Sequence, residues 1–174
     1  MEKVKLLVTG GCGFIGSNFI NYIFQTGKYS IINIDTMYYC ADETNVDASI
    51  RSHSDYTLVR GNICSEDLLT HVLETHKIEE VVHFAAQSHV QNSFDDSLQF
   101  TKDNVLGTHV LLECCRKYGK IRKFVHVSTD EVYGSLGRKG LFTENSPYDP
   151  HSPYSASKAS SDHFVKSYFI THKL

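Results

Sequence analysis

A glycine-rich run joins an apolar segment to a helical pattern, and this junction constrains the fold more than any other feature of the chain. Residues 9–16 read TGGCGFIG, in which Gly11, Gly13 and Gly16 satisfy the spacing G-x-G-x-x-G. Glycines at these places permit a tight turn, a close approach of the backbone to a pyrophosphate and close helix–strand packing. An acid, Asp35, follows 19 residues after Gly16 at the end of the next apolar run. This context predicts a dinucleotide-binding strand–turn–helix unit.

The rest of the chain alternates short apolar runs with helical patterns. We predict strands at residues 4–8, 31–34, 56–59, 80–84 and 124–127, and helices at 14–24, 66–76, 98–118 and 153–169. Ser65 and Ser152 are suitable N-cap residues for the second and fourth helices, and Gly27 lies just after the first. The alternation predicts an α/β fold, namely a Rossmann-type doubly wound parallel sheet with helices on both faces. Residues 134–152 are expected to form an ordered loop over the site.

Length and composition exclude several classes of protein. The 174 residues suit one domain, and the net charge of −3 comes without a basic patch, which argues against general nucleic-acid binding. No apolar run is long enough to span a bilayer, and the N-terminus lacks the pattern of a signal peptide. Five cysteines without C-x-x-C spacing indicate reduced thiols of a cytoplasmic protein. Ten scattered histidines lack the spacing of a metal site, so we predict no metal.

Reactive side chains cluster after the fifth predicted strand. Tyr154 and Lys158 are four residues apart, so they share one face of the last helix. An ammonium beside a phenol stabilises the phenolate and lowers the pKa of the phenol. Thr129, Asp130 and Glu131 add a hydroxyl and two carboxyl groups at the end of a strand, where the sites of parallel sheets lie. A Tyr–Lys pair with a further acid and base indicates a reaction of more than one step.

Asp35 also indicates which dinucleotide binds. A carboxylate at the end of the second strand can accept hydrogen bonds from the hydroxyls of the adenosine ribose. The same carboxylate repels a 2′-phosphate, and the next residues, Thr36 and Met37, offer no cation to balance one. The sequence therefore predicts NAD rather than NADP.

These motifs resemble those of the extended short-chain dehydrogenases/reductases and, among them, the nucleoside-diphosphate-glucose 4,6-dehydratases. The resemblance covers residues 4–168 and is carried by TGGCGFIG (9–16), GNI (61–63), HFAAQSHV (83–90), NVLGT (104–108), STDEVYG (128–134) and SPYSASKASSDH (152–163). The adjacent acids Asp130 and Glu131 are the specific element. In the related 4-epimerases these positions are usually not acidic, and in GDP-mannose dehydratases the run resembles Thr-Ser-Glu.

The resemblance implies a cofactor, a substrate and the residues that bind them. NAD is expected to contact Gly10, Gly13, Phe14, Ile15, Gly16, Asp35, Asn62, Ile63, Ala85, Ala86, Tyr154 and Lys158. A nucleotide-sugar, dTDP- or UDP-glucose, is expected to contact Ser88, His89 and Thr129.

The same resemblance implies a lyase reaction. Tyr154 takes the proton of the sugar 4-hydroxyl while NAD accepts hydride from C4, and Lys158 lowers the pKa of Tyr154 and holds the nicotinamide ribose. Thr129 hydrogen-bonds the reacting oxygen. Glu131 then removes the proton at C5, Asp130 protonates the departing 6-hydroxyl, and hydride returns to C6. Net redox change is zero, so NAD acts as a bound catalyst.

The chain departs from the family pattern at several positions. Asn62 replaces an Asp near the adenine, and Gln87 and Gln91 replace acids. An Asn amide both donates and accepts hydrogen bonds, so base binding is expected to survive. The enzymes of the family continue well past Leu174. We therefore expect residues 1–174 to form the NAD-binding domain, without the family's small C-terminal substrate domain.

Two alternatives to the dehydratase remain open, and one partner is expected. The chain could be another extended-family nucleotide-sugar enzyme, such as an epimerase or decarboxylase, or a truncated NAD-binding remnant without catalysis. Residues 98–118 and 153–169 carry more apolar side chains than one sheet face needs. The family pairs these two helices in a four-helix bundle, so we expect a homodimer.

Overall fold

Five parallel strands form a single sheet whose strand order creates a cleft. In the computed structural model, which describes residues 2–174, the strands are β1 (Val4–Thr9), β2 (Tyr29–Asp35), β3 (Tyr56–Arg60), β4 (Glu80–His83) and β5 (Lys123–His126). Their order is β3-β2-β1-β4-β5, and every neighbouring pair is parallel. The direction of winding reverses between β1 and β4. In open α/β sheets, ligands bind at this switch point, outside the carboxyl ends of the strands.

Helices cover both faces of the sheet. They are α1 (Phe14–Phe24), α2 (Ala48–Arg51), α3 (Glu66–His76), α4 (Val90–Asp95), α5 (Ser97–Phe100), α6 (Gly107–Tyr118) and α7 (Pro153–His172). One apolar core lies between the sheet and α3 and α6, and a second lies between the sheet and α1 and α2. Parallel strands buried on both faces require continuous apolar runs, as in β1 and β2. The predicted Rossmann-type α/β fold is confirmed.

Helix boundaries with clear capping signals lie where they were predicted. The structure has the predicted limits for α1 and α3, and the Ser65 side chain accepts a hydrogen bond from the Leu68 amide. Ser152 and Ser155 form a reciprocal capping box at the start of α7, with Pro153 as its first residue. These side chains satisfy backbone amides that have no partner within the helix.

The prediction of one continuous helix at residues 98–118 is wrong in its detail. The chain forms α5, a π-helical segment at Thr101–Leu106, and then α6. The wider turn buries the side chains of Asp103 and Asn104, which hydrogen-bond the side chain and backbone of Gln87. Apolar periodicity alone does not separate a π-helical turn from an α-helical one. The strands differ from prediction by only one or two residues at their ends.

The glycine-rich turn holds α1 close to the sheet. Gly10 has φ of +73°, and a Cβ there would lie 2.6 Å from the amide nitrogen of Ala85. A Cβ on Gly16, in the first turn of α1, would overlap the carbonyl oxygen of Gly10 and lie 2.9 Å from Cα of Gly11. Side chains at these two positions would therefore push the helix away from β1.

Gly16→Ala should destabilise the fold because the new Cβ can be accommodated only by moving backbone. We expect a loss of about 1–3 kcal/mol in the free energy of unfolding, as for other overpacked sites. Gly137→Ala is the matched control, since nothing lies within 4 Å of a Cβ there. The control should change stability by less than about 0.5 kcal/mol. Urea denaturation followed by circular dichroism measures both, and equal midpoints would contradict the packing argument.

Candidate active site

A cleft of about 380 Å³ opens at the switch point between β1 and β4. The glycine-rich turn lies along it, and Tyr154 and Lys158 line it from α7. All the residues predicted to bind the cofactor line this cleft: Gly10, Gly13, Phe14, Ile15, Gly16, Asp35, Asn62, Ile63, Ala85, Ala86, Tyr154 and Lys158. The chain thus gathers residues from five separate segments at the place where such folds bind dinucleotides.

Gly13 shows that the turn fits a phosphate group. It is the N-cap residue of α1 and provides no side-chain cap, so the first amides of the helix remain available to an anion. A Cβ on Gly13 would meet only the carbonyl oxygen of Gly10, at an ordinary 3.5 Å. The fold itself would therefore tolerate alanine here, and the added methyl group would occupy the cleft that Gly13 lines. The space fits the pyrophosphate of a dinucleotide.

Asp35 is held rigidly beside the turn. One carboxylate oxygen accepts a hydrogen bond from the Cys12 amide, and the other accepts one from the Met37 amide, both at 2.9 Å. The residue is only 7% exposed. A carboxylate has about four lone-pair sites, so Asp35 retains acceptors for a ribose diol after making both contacts.

Burial dominates the electrostatics of the Tyr154–Lys158 pair. The Lys158 ammonium donates to the carbonyl oxygen of Val127 at 2.7 Å, and burial lowers its pKa to about 8, against the opposing effect of Asp162. Burial also raises the pKa of Tyr154, while hydrogen bonding to Thr129 acts in the opposite direction. The expectation that Lys158 leaves Tyr154 with a lowered pKa is therefore wrong for the chain's own residues. Lys158 is not among the groups that shift the pKa of Tyr154, and desolvation of the phenol is the largest cause of its rise.

The predicted acids lie near Tyr154 but do not line the cleft. Thr129 caps a 3-10 turn at Asp130–Tyr133, where its hydroxyl accepts from the Glu131 amide at 3.3 Å. Asp130 and Glu131 are exposed, and their charges contribute to raising the pKa of Tyr154, which places both near the phenol. Of the predicted substrate residues, Ser88 lines the cleft. His89 lies at the start of α4, outside the lining of the cleft, as do Thr129 and the two acids.

Asp162 joins three parts of the site and was missed from the sequence. It lies one turn after Lys158 on α7 and accepts hydrogen bonds from the hydroxyls of Ser128 at 2.6 Å and Tyr148 at 3.1 Å. Its carboxylate also lies 3.2 Å from Nε2 of His126. Asp162 therefore ties the end of β5 and the loop at 134–152 to the helix face that carries Lys158. The i+4 spacing from Lys158 was the available signal.

Asn104 anchors the other side of α7. Its side chain donates to the hydroxyl of Ser157 at 2.8 Å and exchanges hydrogen bonds with the backbone of Gln87. The loop after β4 is thereby fixed to the helix turn beside Lys158. Asp103, the preceding residue, lines the cleft as well. Neither Asn104 nor Asp103 was predicted as a site residue.

Residues 2–174 present neither a metal centre nor a membrane-spanning helix. No group of three or more His, Cys, Asp and Glu side chains there could hold a metal ion. Across the same residues, no helix has the length and apolarity needed to cross a membrane.

Comparison with known proteins identifies the type of enzyme that this cleft resembles. A family model described as GDP-mannose 4,6 dehydratase matches residues 7–174. A dTDP-glucose 4,6-dehydratase of Xanthomonas campestris is 45% identical, over 97% of this chain and 50% of its own length. A human dTDP-D-glucose 4,6-dehydratase is 43% identical, over 97% of this chain and 48% of its own. The chain thus spans about half the length of such relatives.

Solved structures give the same result. The dTDP-glucose 4,6-dehydratase of Bacillus anthracis, in complex with NAD, superposes with a TM-score of 0.88 at 46% identity, over 98% of this chain and 52% of that one. The dTDP-glucose 4,6-dehydratase of Streptomyces venezuelae, with NAD bound, has a TM-score of 0.91 and 41% sequence identity, over 98% of this chain and 53% of that one. A UDP-glucose 4-epimerase of Thermotoga maritima has a TM-score of 0.88 and 29% sequence identity, over 98% of this chain and 53% of that one.

The lowered pKa of Lys158 predicts a pH-dependent stability. The unfolded chain holds its proton up to about pH 10.5 and the folded chain only to about 8. Between these values the unfolded state binds more protons, so this group makes the fold more stable as pH rises. The free energy of unfolding of the wild type, relative to that of Lys158→Met, should therefore increase by about 2 kcal/mol between pH 7 and pH 10.

Denaturant unfolding of both proteins at each pH measures this difference. The control is Lys166→Met, because Lys166 is an exposed lysine on the same helix. Its free energy of unfolding should differ from that of the wild type by the same amount at pH 7 and at pH 10. A Lys158→Met difference that does not change with pH would show that the ammonium is solvated.

Proposed function

Because the chain belongs to the GDP-mannose 4,6-dehydratase family, we propose that it carries the NAD-binding and catalytic part of a nucleoside-diphosphate-glucose 4,6-dehydratase. The reaction is the conversion of dTDP- or UDP-glucose to the 4-keto-6-deoxy sugar. The observation that carries the proposal is the pair of adjacent carboxyl groups, Asp130 and Glu131, beside Thr129 and near the Tyr154 phenol. A simple oxidation or epimerisation does not require two additional acid–base groups beside the Tyr154 phenol.

NAD fits the cleft on three grounds. The N-terminus of α1 offers free amides beside Gly13, Asp35 offers acceptors to a ribose diol, and the same carboxylate disfavours a 2′-phosphate. Related dTDP-glucose 4,6-dehydratases have been crystallised with NAD. When bound, NAD would supply the hydride acceptor for C4 and the hydride for C6, and its positive nicotinamide ring would favour the phenolate of Tyr154.

The side chains of this chain handle the protons. Tyr154 removes the proton of the 4-hydroxyl, and Thr129 hydrogen-bonds the same oxygen. Lys158, fixed on the Val127 carbonyl oxygen, holds the nicotinamide ribose and supplies positive charge. The ketone at C4 acidifies the C5 hydrogen, which Glu131 removes, while Asp130 protonates the 6-hydroxyl, which leaves as water. The proton held by Glu131 returns to C5 when C6 receives hydride. Ser88 and His89 are proposed to contact the sugar or its phosphates.

Two other functions are distinguished by product analysis. The fold is shared with UDP-glucose 4-epimerases such as that of Thermotoga maritima, and an epimerase would return the sugar with its 6-hydroxyl intact. A remnant that only binds NAD would give no product from dTDP-glucose. Formation of a 4-keto-6-deoxy sugar by the purified chain supports the dehydratase with a complete site in these 174 residues.

The role of Glu131 predicts a stalled reaction. In a form of the protein that turns over dTDP-glucose, Glu131→Gln keeps the size of the side chain but cannot remove the C5 proton. Oxidation at C4 should continue and elimination should slow by about 10²–10⁴-fold, the usual contribution of one acid or base. Bound NADH should accumulate and appear as nicotinamide absorbance.

Two further variants separate the steps. Asp130→Asn should also accumulate NADH, because the leaving hydroxyl is no longer protonated. Tyr154→Phe should give none, because the 4-hydroxyl proton is not removed. Dehydration by Glu131→Gln at the wild-type rate would overturn the assignment of Glu131 as the base at C5.

We propose two further properties of the whole protein. The five cysteines are free thiols, which supports a location in the reducing cytoplasm. A homodimer is supported by apolar side chains left exposed by the described fold near the α6–α7 pair, since Leu106, Phe169 and Ile170 are 48%, 61% and 55% exposed. A second copy of the same helix pair would cover them.

Light scattering tests the homodimer. The wild type should have twice the mass of the chain at micromolar concentration, and the double substitution Phe169→Glu with Ile170→Glu should give monomers by placing charges in the interface. Leu141→Glu, at an 87% exposed loop position, is the control and should leave the mass unchanged. A monomeric wild type would contradict the proposal.

A further inference from the structure

Asp162 takes no part in the proton transfers proposed above, yet its side chain is largely enclosed. The side chain is 12% exposed, and its Oδ1 lies 3.2 Å from Nε2 of His126, without the geometry of a hydrogen bond. Its Oδ2 accepts two hydroxyl donors, Ser128 at 2.6 Å and Tyr148 at 3.1 Å. Burial raises the pKa of this carboxyl group, but the contacts with these three residues together hold it below its usual value. A largely buried charge is costly, so its contacts call for a physical explanation.

The contact of Asp162 with Ser128 is one of three that join the end of β5 to α7. Three consecutive residues after β5 each contact a residue of α7: Val127 contacts Lys158, Ser128 contacts Asp162, and Thr129 contacts Tyr154. The three residues of α7 are spaced four apart, so they form a stripe along one face of the helix. Two of these contacts involve the Tyr154–Lys158 pair. The third, between Ser128 and Asp162, involves neither of its members.

The segment that carries Thr129 lies beyond the last hydrogen bond of the sheet. The Val127 amide donates to the carbonyl oxygen of His83 at 3.1 Å, and within residues 2–174 no later residue of this segment bonds to β4. The hydrogen bonds of Ser128 and Thr129 go instead to α7 and to the 3-10 turn at Asp130–Tyr133. The position of Thr129 relative to Tyr154 is therefore set by contacts with α7 rather than by the sheet.

We propose that Asp162 is a positioning residue, which holds the Ser128 hydroxyl and thereby keeps the adjacent Thr129 against Tyr154. We call the hydrogen bond between Ser128 and Asp162 the tether. The proposal rests on the proposed function in one respect, namely that Tyr154 is the base and Thr129 shares its oxygen. A shift of about 1 Å takes a hydrogen bond out of range. Loss of the tether should therefore separate Thr129 from the phenol.

Asp162→Asn distinguishes the hydrogen bonds of Asp162 from its charge. Hydroxyl groups both donate and accept, so Ser128 and Tyr148 can bond either end of the introduced amide. Neither ring nitrogen of His126 forms a hydrogen bond within residues 2–174, so the imidazole is free to take the tautomer that suits the amide. Asp162→Asn thus removes the charge and keeps the tether. Asp162→Ala removes both, and Ser128→Ala removes the tether alone.

The pKa of Tyr154 reports the position of Thr129 without any turnover. Burial raises this pKa and hydrogen bonding to Thr129 lowers it, while Asp162 is not among the groups that shift it. Asp162→Ala and Ser128→Ala should therefore raise the pKa of Tyr154 further, and Asp162→Asn should leave it at the wild-type value. The effects of the neighbouring carboxylates should change little, because charge interactions fall slowly with distance.

Carbon-13 NMR of the 174-residue chain, labelled at Cζ of tyrosine, measures this pKa. The signal of Tyr154 is the one that disappears in Tyr154→Phe. Ser160→Ala is the matched control, because the Ser160 hydroxyl bonds the carbonyl oxygen of Ala156 in its own helix. The control should leave the pKa of Tyr154 unchanged.

The rate of NADH formation gives a second readout, in a form of the protein that turns over dTDP-glucose. Asp162→Ala and Ser128→Ala should slow NADH formation by about 10–10²-fold, the usual effect of a small misplacement of reacting groups. Asp162→Asn should stay within about threefold of the wild-type rate, because its hydrogen bonds are kept. The Ser160→Ala control should have the wild-type rate.

The outcomes separate this proposal from the function it rests on. A wild type that forms no NADH from dTDP-glucose removes the proposed function, while the NMR titration still decides whether Asp162 positions Thr129. An unchanged pKa of Tyr154 in both alanine variants overturns the positioning role. Equal impairment of Asp162→Asn and Asp162→Ala, with Ser128→Ala unaffected, overturns it in favour of a role for the charge. If Asp162→Ala does not fold, Ser128→Ala decides alone, since it removes one hydroxyl from an exposed residue.

Discussion

The close approach of α1 to the turn after β1 is the contact on which the rest of the site depends. The absence of a Cβ at Gly16 lets the first helical turn lie against the carbonyl of Gly10, and Gly10 in turn lies against Ala85 after β4. These contacts bring the carboxyl ends of β1 and β4 together with the N-terminus of the helix. The amides of that helix consequently point into the switch-point cleft, where a pyrophosphate gains both hydrogen bonds and the favourable end of the helix dipole.

The Tyr154–Lys158 pair illustrates the cost of placing ionisable groups in a buried cleft. Desolvation disfavours the charged forms of both Tyr154 and Lys158, so neither is stabilised as an ion by the other alone. The surrounding structure holds them in place through the Val127 carbonyl, the Asn104 side chain and the Asp162 carboxylate. A pair positioned in this way is ready to use the positive charge of a bound cofactor, because little reorganisation is required when the proton moves.

The sequence predicted what depends on local signals and missed what depends on distant partners. The limits of α1 and α3 followed from glycine and serine residues at their ends, and every residue expected to bind the cofactor lines the cleft. The π-helical turn was missed because it is stabilised by Asp103 and Asn104 reaching Gln87, 16 or 17 residues away in sequence. Asp162 was missed for a similar reason, since its donor Ser128 is 34 residues distant. Patterns of apolar residues carry no information about such pairs.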